Sequence, residues 1–209
     1  MNAVVTTRND KLVKEVIKGL ESRNMKGYYA ANKEDALKIA LEIIPKKSSI
    51  TMGGSVSVSE IGLRDALING DYNFKAREEF EDQHEAALFA YSADFFLGST
   101  NAMTNDGILV NIDGNSNRVS AYCYGPSKVL LIVGVNKICG DLDSAMKRAR
   151  NDAATINAQR FGLNTPCTKT GKCADCKSPD TICCQFLTTR YSRHADRYHV
   201  IIVNENLGF

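Results

Sequence analysis

The sequence predicts an α/β fold: a twisted, mainly parallel sheet with helices on both faces and a cysteine-rich insertion near the C-terminus. Three observations carry this prediction. Apolar runs of strand length alternate with segments of helical period along most of the chain. Val129–Val133 is an unbroken Val-Leu-Leu-Ile-Val run, the composition of a strand buried on both faces. Five of the seven cysteines fall between Cys167 and Cys184, where the composition turns abruptly to Cys, Lys, Thr, Ser, Asp and Pro.

The elements follow in order. Leu12, Val13, Val16, Ile17 and Leu20 recur at helical spacing, and Gly27 stops the helix. Tyr28–Ala31 reads as a short strand. Asn32 then caps a helix carrying Ala36, Leu37, Ala40, Ile43 and Ile44, which ends before Pro45. Ser49–Met52 is a strand. Ser57 and Glu60 have the spacing of a capping box, with Val56 and Ile61 placed as a hydrophobic staple, so the next helix is expected to start at Ser57. A long helix is expected over Lys75–Tyr91 and a strand over Asp94–Gly98. Strand Ile108–Ile112 lies between the turns Asn105-Asp106-Gly107 and Asp113-Gly114-Asn115, which suggests a local antiparallel meander. Asp141–Phe161 is helical and His199–Val203 is a strand. The chain thus reads as one domain over 1–209, with residues 164–185 inserted in it.

Composition excludes several classes of function. Of 209 residues 44% are hydrophobic, and 26 basic against 24 acidic side chains leave a net charge of +2 with no basic patch. No nucleic-acid footprint is expected. No apolar run approaches the roughly 20 residues that span a bilayer. The N-terminal MNAVVTTRNDK lacks the layout of a signal peptide. The expectation is a cytoplasmic protein with no membrane association.

Candidate binding residues lie at strand ends. Met52-Gly53-Gly54-Ser55 follows a strand and precedes a helix, where glycines admit a ligand and free N–H groups attract an anion. The alternative is a tight turn needing glycine for its dihedrals; neither a dinucleotide fingerprint nor a P-loop lysine is present. Asn101, Thr104 and Asp106 follow another strand and could hydrogen-bond a small polar substrate. Asn136 and Lys137 follow the central strand, Lys137 as a cation in the crevice, whereas Lys128 at the opposite end is structural. Arg118 could hold an anion, although a lone arginine more often reads as a surface residue or ion-pair partner. His84, His194 and His199 read as ordinary surface residues, and Cys123 and Cys139 as buried thiols.

The cysteine spacing is Cys167-x5-Cys173-x2-Cys176-x6-Cys183-Cys184. Thiolates in this pattern suit a [4Fe–4S] cluster, with zinc as the alternative and reduced or redox-active thiols as the third reading. Adjacent cysteines rarely both reach one ion, so Cys167, Cys173, Cys176 and Cys183 are taken as the metal ligands.

Three stretches together carry a family resemblance: Gly98-Ser-Thr-Asn-Ala-Met-Thr-Asn-Asp-Gly107, Ile108-Leu-Val-Asn-Ile-Asp-Gly-Asn-Ser-Asn-Arg118 and Gly125-Pro-Ser-Lys-Val-Leu-Leu-Ile-Val-Gly-Val-Asn-Lys137. They resemble the LUD domain of the lactate-utilization proteins, and Met52–Leu63 and Glu205–Phe209 fit the same pattern. The resemblance implies the fold of NagB, ribose-5-phosphate isomerase A and the CoA transferases, with ligands at strand ends. It strengthens Gly53, Gly54 and Ser55 as a substrate-binding loop and places Asn101, Thr104, Asp106, Asn136 and Lys137 around the same pocket. It also implies redox metabolism of a hydroxy acid, redox partner proteins and a small anionic metabolite; a homo-oligomer stays open. The Thr165–Pro179 insertion departs from the short members of the family and is associated with a subfamily from anaerobic bacteria.

The leading expectation is therefore an iron–sulfur LUD protein. One alternative is a non-redox isomerase or acyl-transfer enzyme with a structural metal and Glu60 or Asp106 as general base; Lys137 is a further catalytic candidate. The other is a redox-sensing binding module.

Overall fold

The computed structural model describes residues 3–209. Its elements are α1 (Ala3–Ser22), β1 (Lys26–Ala30), α2 (Lys33–Ile43), β2 (Ser49–Met52), α3 (Val56–Glu60), α4 (Leu63–Ile68), β3 (Asn73–Phe74), α5 (Gln83–Ser92), β4 (Phe95–Gly98), β5 (Ala102–Thr104), β6 (Leu109–Asp113), α6 (Asn117–Cys123), β7 (Lys128–Gly134), β8 (Ile138–Cys139), α7 (Leu142–Arg148), α8 (Ala154–Arg160), α9 (Pro166–Thr170), β9 (Gln185–Thr189) and β10 (Tyr198–Val203). The main sheet is parallel throughout, with strand order β1-β10-β7-β4-β2-β3. A second, mixed sheet runs β8-β5-β6-β9.

The period-2 alternation of the central strands divides the core. Leu130, Ile132, Ile201 and Val203 face the α2–α4 side with Ala36, Val58 and Leu67. Val129, Leu131, Val133, Val200 and Ile202 face the other side, packing with Val13, Val16 and Leu20 of α1. Both faces are covered, which is why these strands read as continuous apolar runs. A smaller core of Ala102, Val110, Ile112, Ala145 and Ala149 joins the second sheet to α7.

Most predicted elements are present, and Asn32 caps α2 by accepting from the Asp35 N–H at 2.8 Å. Four expectations need correction. α3 starts at Val56, because Ser55 rather than Ser57 is the N-cap and accepts from Val58 N at 3.4 Å. Ser57 lies inside the helix, and Glu60 turns away to accept the N–H of Gly208 at 2.9 Å. The helix expected over Lys75–Tyr91 is only Gln83–Ser92, capped by Asp82, with a short 3-10 turn Arg77–Glu79 ahead of it. The Asp113-Gly114-Asn115 turn leads into α6, so the antiparallel neighbour of β6 on that side is β9. The helix expected over Asp141–Phe161 contains a π-helical turn, Ala149–Ala153, between α7 and α8.

Because the main strands are parallel, β2, β4, β7 and β10 all end on one side, and the links that follow them converge there. Two glycines permit that convergence. A Cβ on Gly98 would stand 2.2 Å from the Tyr122 hydroxyl, which crosses the strand end to donate to Ser99 O at 2.7 Å. A Cβ on Gly134 would meet Leu207 N at 2.5 Å and Glu205 O at 2.7 Å, where residues 204–207 pass over the end of β7.

Candidate functional site: a cationic pocket beside a thiol-lined cavity

The strand ends enclose a cavity of about 240 Å³. Its floor is Ser57 from α3, Ser99 and Thr100 after β4, and Lys137 after β7. Arg118 from α6 forms one side, while Asn157 and Arg160 from α8, with Arg77, form the others.

Lys137 is 4% exposed. Its ammonium donates to Ser99 Oγ at 3.0 Å and Ser57 Oγ at 3.2 Å and has no ion-pair partner among the described residues. Burial, then repulsion from Arg148 and Arg118, pulls its pKa down to about 7, against a weaker opposite pull from Glu60. The side chain is therefore poised to gain or lose a proton near neutrality.

Arg118 is held rigidly. It donates to Asn111 Oδ1 at 2.7 Å, Ile112 O at 2.7 Å, Asn101 Oδ1 at 3.1 Å and Ser99 O at 3.3 Å. Asp113 lies 3.8 Å from its Nε and accepts the backbone N–H groups of Arg118 and Val119. Asn111 uses only its oxygen; its buried Nδ2 has no partner. Arg160 bonds Asn157 Oδ1 at 2.9 Å and lies over the Phe161 ring.

The predicted binding residues separate into two groups. Gly54, Ser55, Asn101 and Lys137 are in the wall of the cavity. Gly53 backs onto Arg118 and spends its N–H on Leu97 O at 3.2 Å, so that donor is taken. Glu60 lies in the adjoining groove with Gly53, Arg64 and Glu78. Thr104, Asp106 and Asn136 are elsewhere. Thr104 and Asp106 hydrogen-bond each other, and Asp106 pairs with Arg23, closing the β5–β6 turn against the end of α1. Asn136 accepts from Leu207 N at 3.0 Å and holds the chain's last residues over the site. Sequence reasoning missed Arg77, Asn157 and Arg160, which carry no local motif. Ser57 reads from sequence only as a cap, and Arg118, of its three readings, is partly buried in the pocket wall beside Asp113 rather than a surface residue.

The cysteines form a second cavity of about 70 Å³. Cys167, Cys173, Cys176 and Cys183 all line it, whereas Cys184 is exposed and outside it. Burial, reinforced by the neighbouring Cys173, Cys167 and Cys176, pushes the Cys183 thiol up to about 11. No three His, Cys, Asp or Glu side chains among the described residues converge on a point that would hold one metal ion. The remaining thiols and histidines depart from expectation in part. Cys123 is exposed and Cys139 half-buried. His199 is buried, with Nδ1 2.9 Å from the Tyr28 hydroxyl, while His84 and His194 are exposed.

The two cavities adjoin: Ala154, Thr181 and Ile182 line both. The π-helical turn ends at this partition, with Arg150 and Ala154 facing the thiols and Ala153 and Ala154 the cationic pocket. Such turns often mark functional positions in helices.

Fold and site together define an α/β protein with a cationic strand-end pocket and a four-thiol cavity against it. Residues 13–203 match the LUD domain, and the chain belongs to that family. Its fold resembles the crystal structure of a DUF162 family protein from Deinococcus radiodurans, with a TM-score of 0.55 at 9% identity over 93% of this chain and 96% of that one. A weaker likeness, to eIF2B beta from Chaetomium thermophilum, has a TM-score of 0.31 at 14% identity over 63% of this chain and 44% of that one, and carries no argument. No curated protein matches the sequence. No helix among the described residues is long and apolar enough to cross a membrane.

Proposed function

We propose that this LUD-domain protein carries an iron–sulfur cluster of the [4Fe–4S] type on Cys167, Cys173, Cys176 and Cys183. It takes a small anionic metabolite in the adjoining pocket and serves redox metabolism of a hydroxy acid. The observation that carries the reading is the shared wall of Ala154, Thr181 and Ile182, which borders both cavities.

The donor set suits the group. Four thiols line one cavity, and thiolates are the ligands such a cluster takes. A zinc ion would draw four sulfurs to about 2.3 Å from a single point. A bound metal would favour the thiolate form of these half-buried thiols, including Cys183, whose pKa burial raises. When bound, such a cluster supplies one-electron transfer. In the pocket, Arg77, Arg118 and Arg160 attract the anion. Ser57, Ser99 and Lys137 offer a relay that can accept a hydroxyl proton.

Protein purified without oxygen is expected to be brown and to contain iron and acid-labile sulfide in equal amounts. A colourless protein with a single zinc would sink the redox reading. In that case the Lys137–Ser57 contact favours acid–base or acyl-transfer chemistry with a structural metal, and Lys137 rather than Glu60 or Asp106 would be the base.

A further inference from the structure

The pocket's charges are out of balance in a way that bears on its ligand. Four cationic side chains line it, Arg77, Arg118, Lys137 and Arg160, against one carboxylate, Asp113. Asp113 is already committed to Arg118, at 3.8 Å, and to the backbone N–H groups of Gly114, Arg118 and Val119. Arg77 and Arg160 form no ion pair among the described residues. With Arg118 offset by Asp113 and Lys137 neutral, Arg77 and Arg160 are left without a counter-charge; two negative charges from the ligand match them, and a third positive charge appears when Lys137 takes up a proton.

Lys137 makes the mismatch specific. The groups that face it are Ser57 and Glu60 from α3, Ser99 after β4, Arg118 from α6 and Arg148 from α7. Glu60 is the only acid among them, and its carboxylate is turned to the N–H of Gly208. Arg148 is fixed behind Lys137 by the carbonyls of Asn136, at 2.9 Å, and Asn101. A buried amine facing two guanidinium groups holds its proton less firmly than a free lysine, and more firmly once an anion arrives from the cavity side. Asn101, Asn157 and the two serines supply hydrogen-bonding partners for hydroxyls on the same ligand.

We propose that the pocket selects a small dianion bearing hydroxyl groups, a phosphate monoester or a hydroxy-dicarboxylate, and binds it together with a proton that goes to Lys137 Nζ. The inference rests on the small-anion pocket of the proposed function and narrows its ligand class.

The test is titration calorimetry on the full chain with sulfate, inorganic phosphate, L-malate and L-lactate. At least one dianion is expected to bind ten times or more tighter than lactate. A preference for phosphate and sulfate indicates a phosphate monoester, and a preference for malate a dicarboxylate; either supports the proposal. With sulfate or malate at pH 8, where neither probe titrates, heats measured in buffers of different ionisation enthalpy should show net proton uptake. Affinity should then weaken steadily from pH 7 to pH 9. Lys137→Met should abolish the uptake, and because uptake is read on the native protein, a poorly folding variant leaves the proposal testable. Lactate binding as tightly as the dianions, or dianion binding without proton uptake, would overturn the inference while leaving the small-anion pocket standing. Binding of none of the probes would overturn it along with the pocket half of the proposed function, while iron and sulfide analysis judges the thiol half separately.

Discussion

The cationic pocket draws its walls from the ends of β2, β4 and β7, from α6 and α8, and from residues 208–209, whereas the thiol cavity takes all four sulfurs from Cys167–Cys183. The first is assembled only when the parallel sheet is complete, and its side chains are fixed by hydrogen bonds across long stretches of chain, such as Lys137 to Ser57. The second is a local wrap of turns against α8, whose hydrogen bonds, such as Thr168 to Leu163 O and Cys183 N to Thr181, stay almost entirely within the segment. The pocket is held by contacts between distant parts of the chain, the thiol segment by contacts within itself, so the two can be perturbed separately.

The comparison can be broken most severely at the thiols. Replacing Cys173 and Cys176 with serine should abolish iron binding altogether, read by iron analysis and by loss of the visible absorption. Calorimetry on the same variant should show dianion affinity within a factor of about three of the native value, since no cysteine lines the pocket. A parallel loss of anion binding would mean that the two sites fold as one.

Arg118→Ala tests the other side. It removes four hydrogen bonds and leaves Asn111 Oδ1 buried without a donor. Truncating a charged, largely buried donor of this kind costs about 3 kcal/mol. Urea denaturation should show that loss, with anion binding falling at least tenfold and metal content retained.

Lys137 sharpens the comparison through pH. Its folded pKa of about 7 lies below the ordinary lysine value of 10.5, so between those values the unfolded chain binds more protons. Stability from this residue is lowest at and below pH 7 and rises with pH, by at most about 1.4 kcal/mol per unit. Denaturation series for the native protein and Lys137→Met should differ by that slope, the variant being the flatter.

The smallest effect is expected far from both sites. Asp196 joins Lys26 and Lys128, at 3.1 Å, near the opposite ends of the strands, and these partners hold its carboxyl down to about 2. Its contribution is present above the ordinary carboxylate range and is lost as pH falls through about 2. The group is nearly half exposed, so Asp196→Asn should lower the Tm at pH 7 by no more than a few degrees.

What could be read from sequence follows the same division. Val129–Val133, Ser49–Met52 and the Asn32 cap announce themselves through local composition, and the four thiols through spacing alone. Of the adjacent pair, Cys183 lines the cavity and Cys184 does not, a difference in burial that spacing does not carry. β9 was invisible because Gln185–Thr189 is mostly exposed and is a strand only through its backbone pairing with β6. Arg77, Asn157 and Arg160 meet from distant positions, and no local pattern marks that meeting. Thr104, Asp106 and Asn136 sit in strand-end links, as a ligand residue would, yet their polar atoms are consumed in closing turns and tethering the last residues. Strand-end logic locates the crevice; it does not tell which polar side chain is left free in it.

The proposed function sets a cluster against the wall that Ala154, Thr181 and Ile182 share with the anion pocket, and electron paramagnetic resonance tests that placement most directly. Protein prepared without oxygen and reduced with dithionite should give an iron–sulfur signal whose g-values shift when L-malate or sulfate saturates the pocket. An iron–sulfur signal that stays unchanged while calorimetry shows the pocket filled, or no such signal at all, would contradict the account.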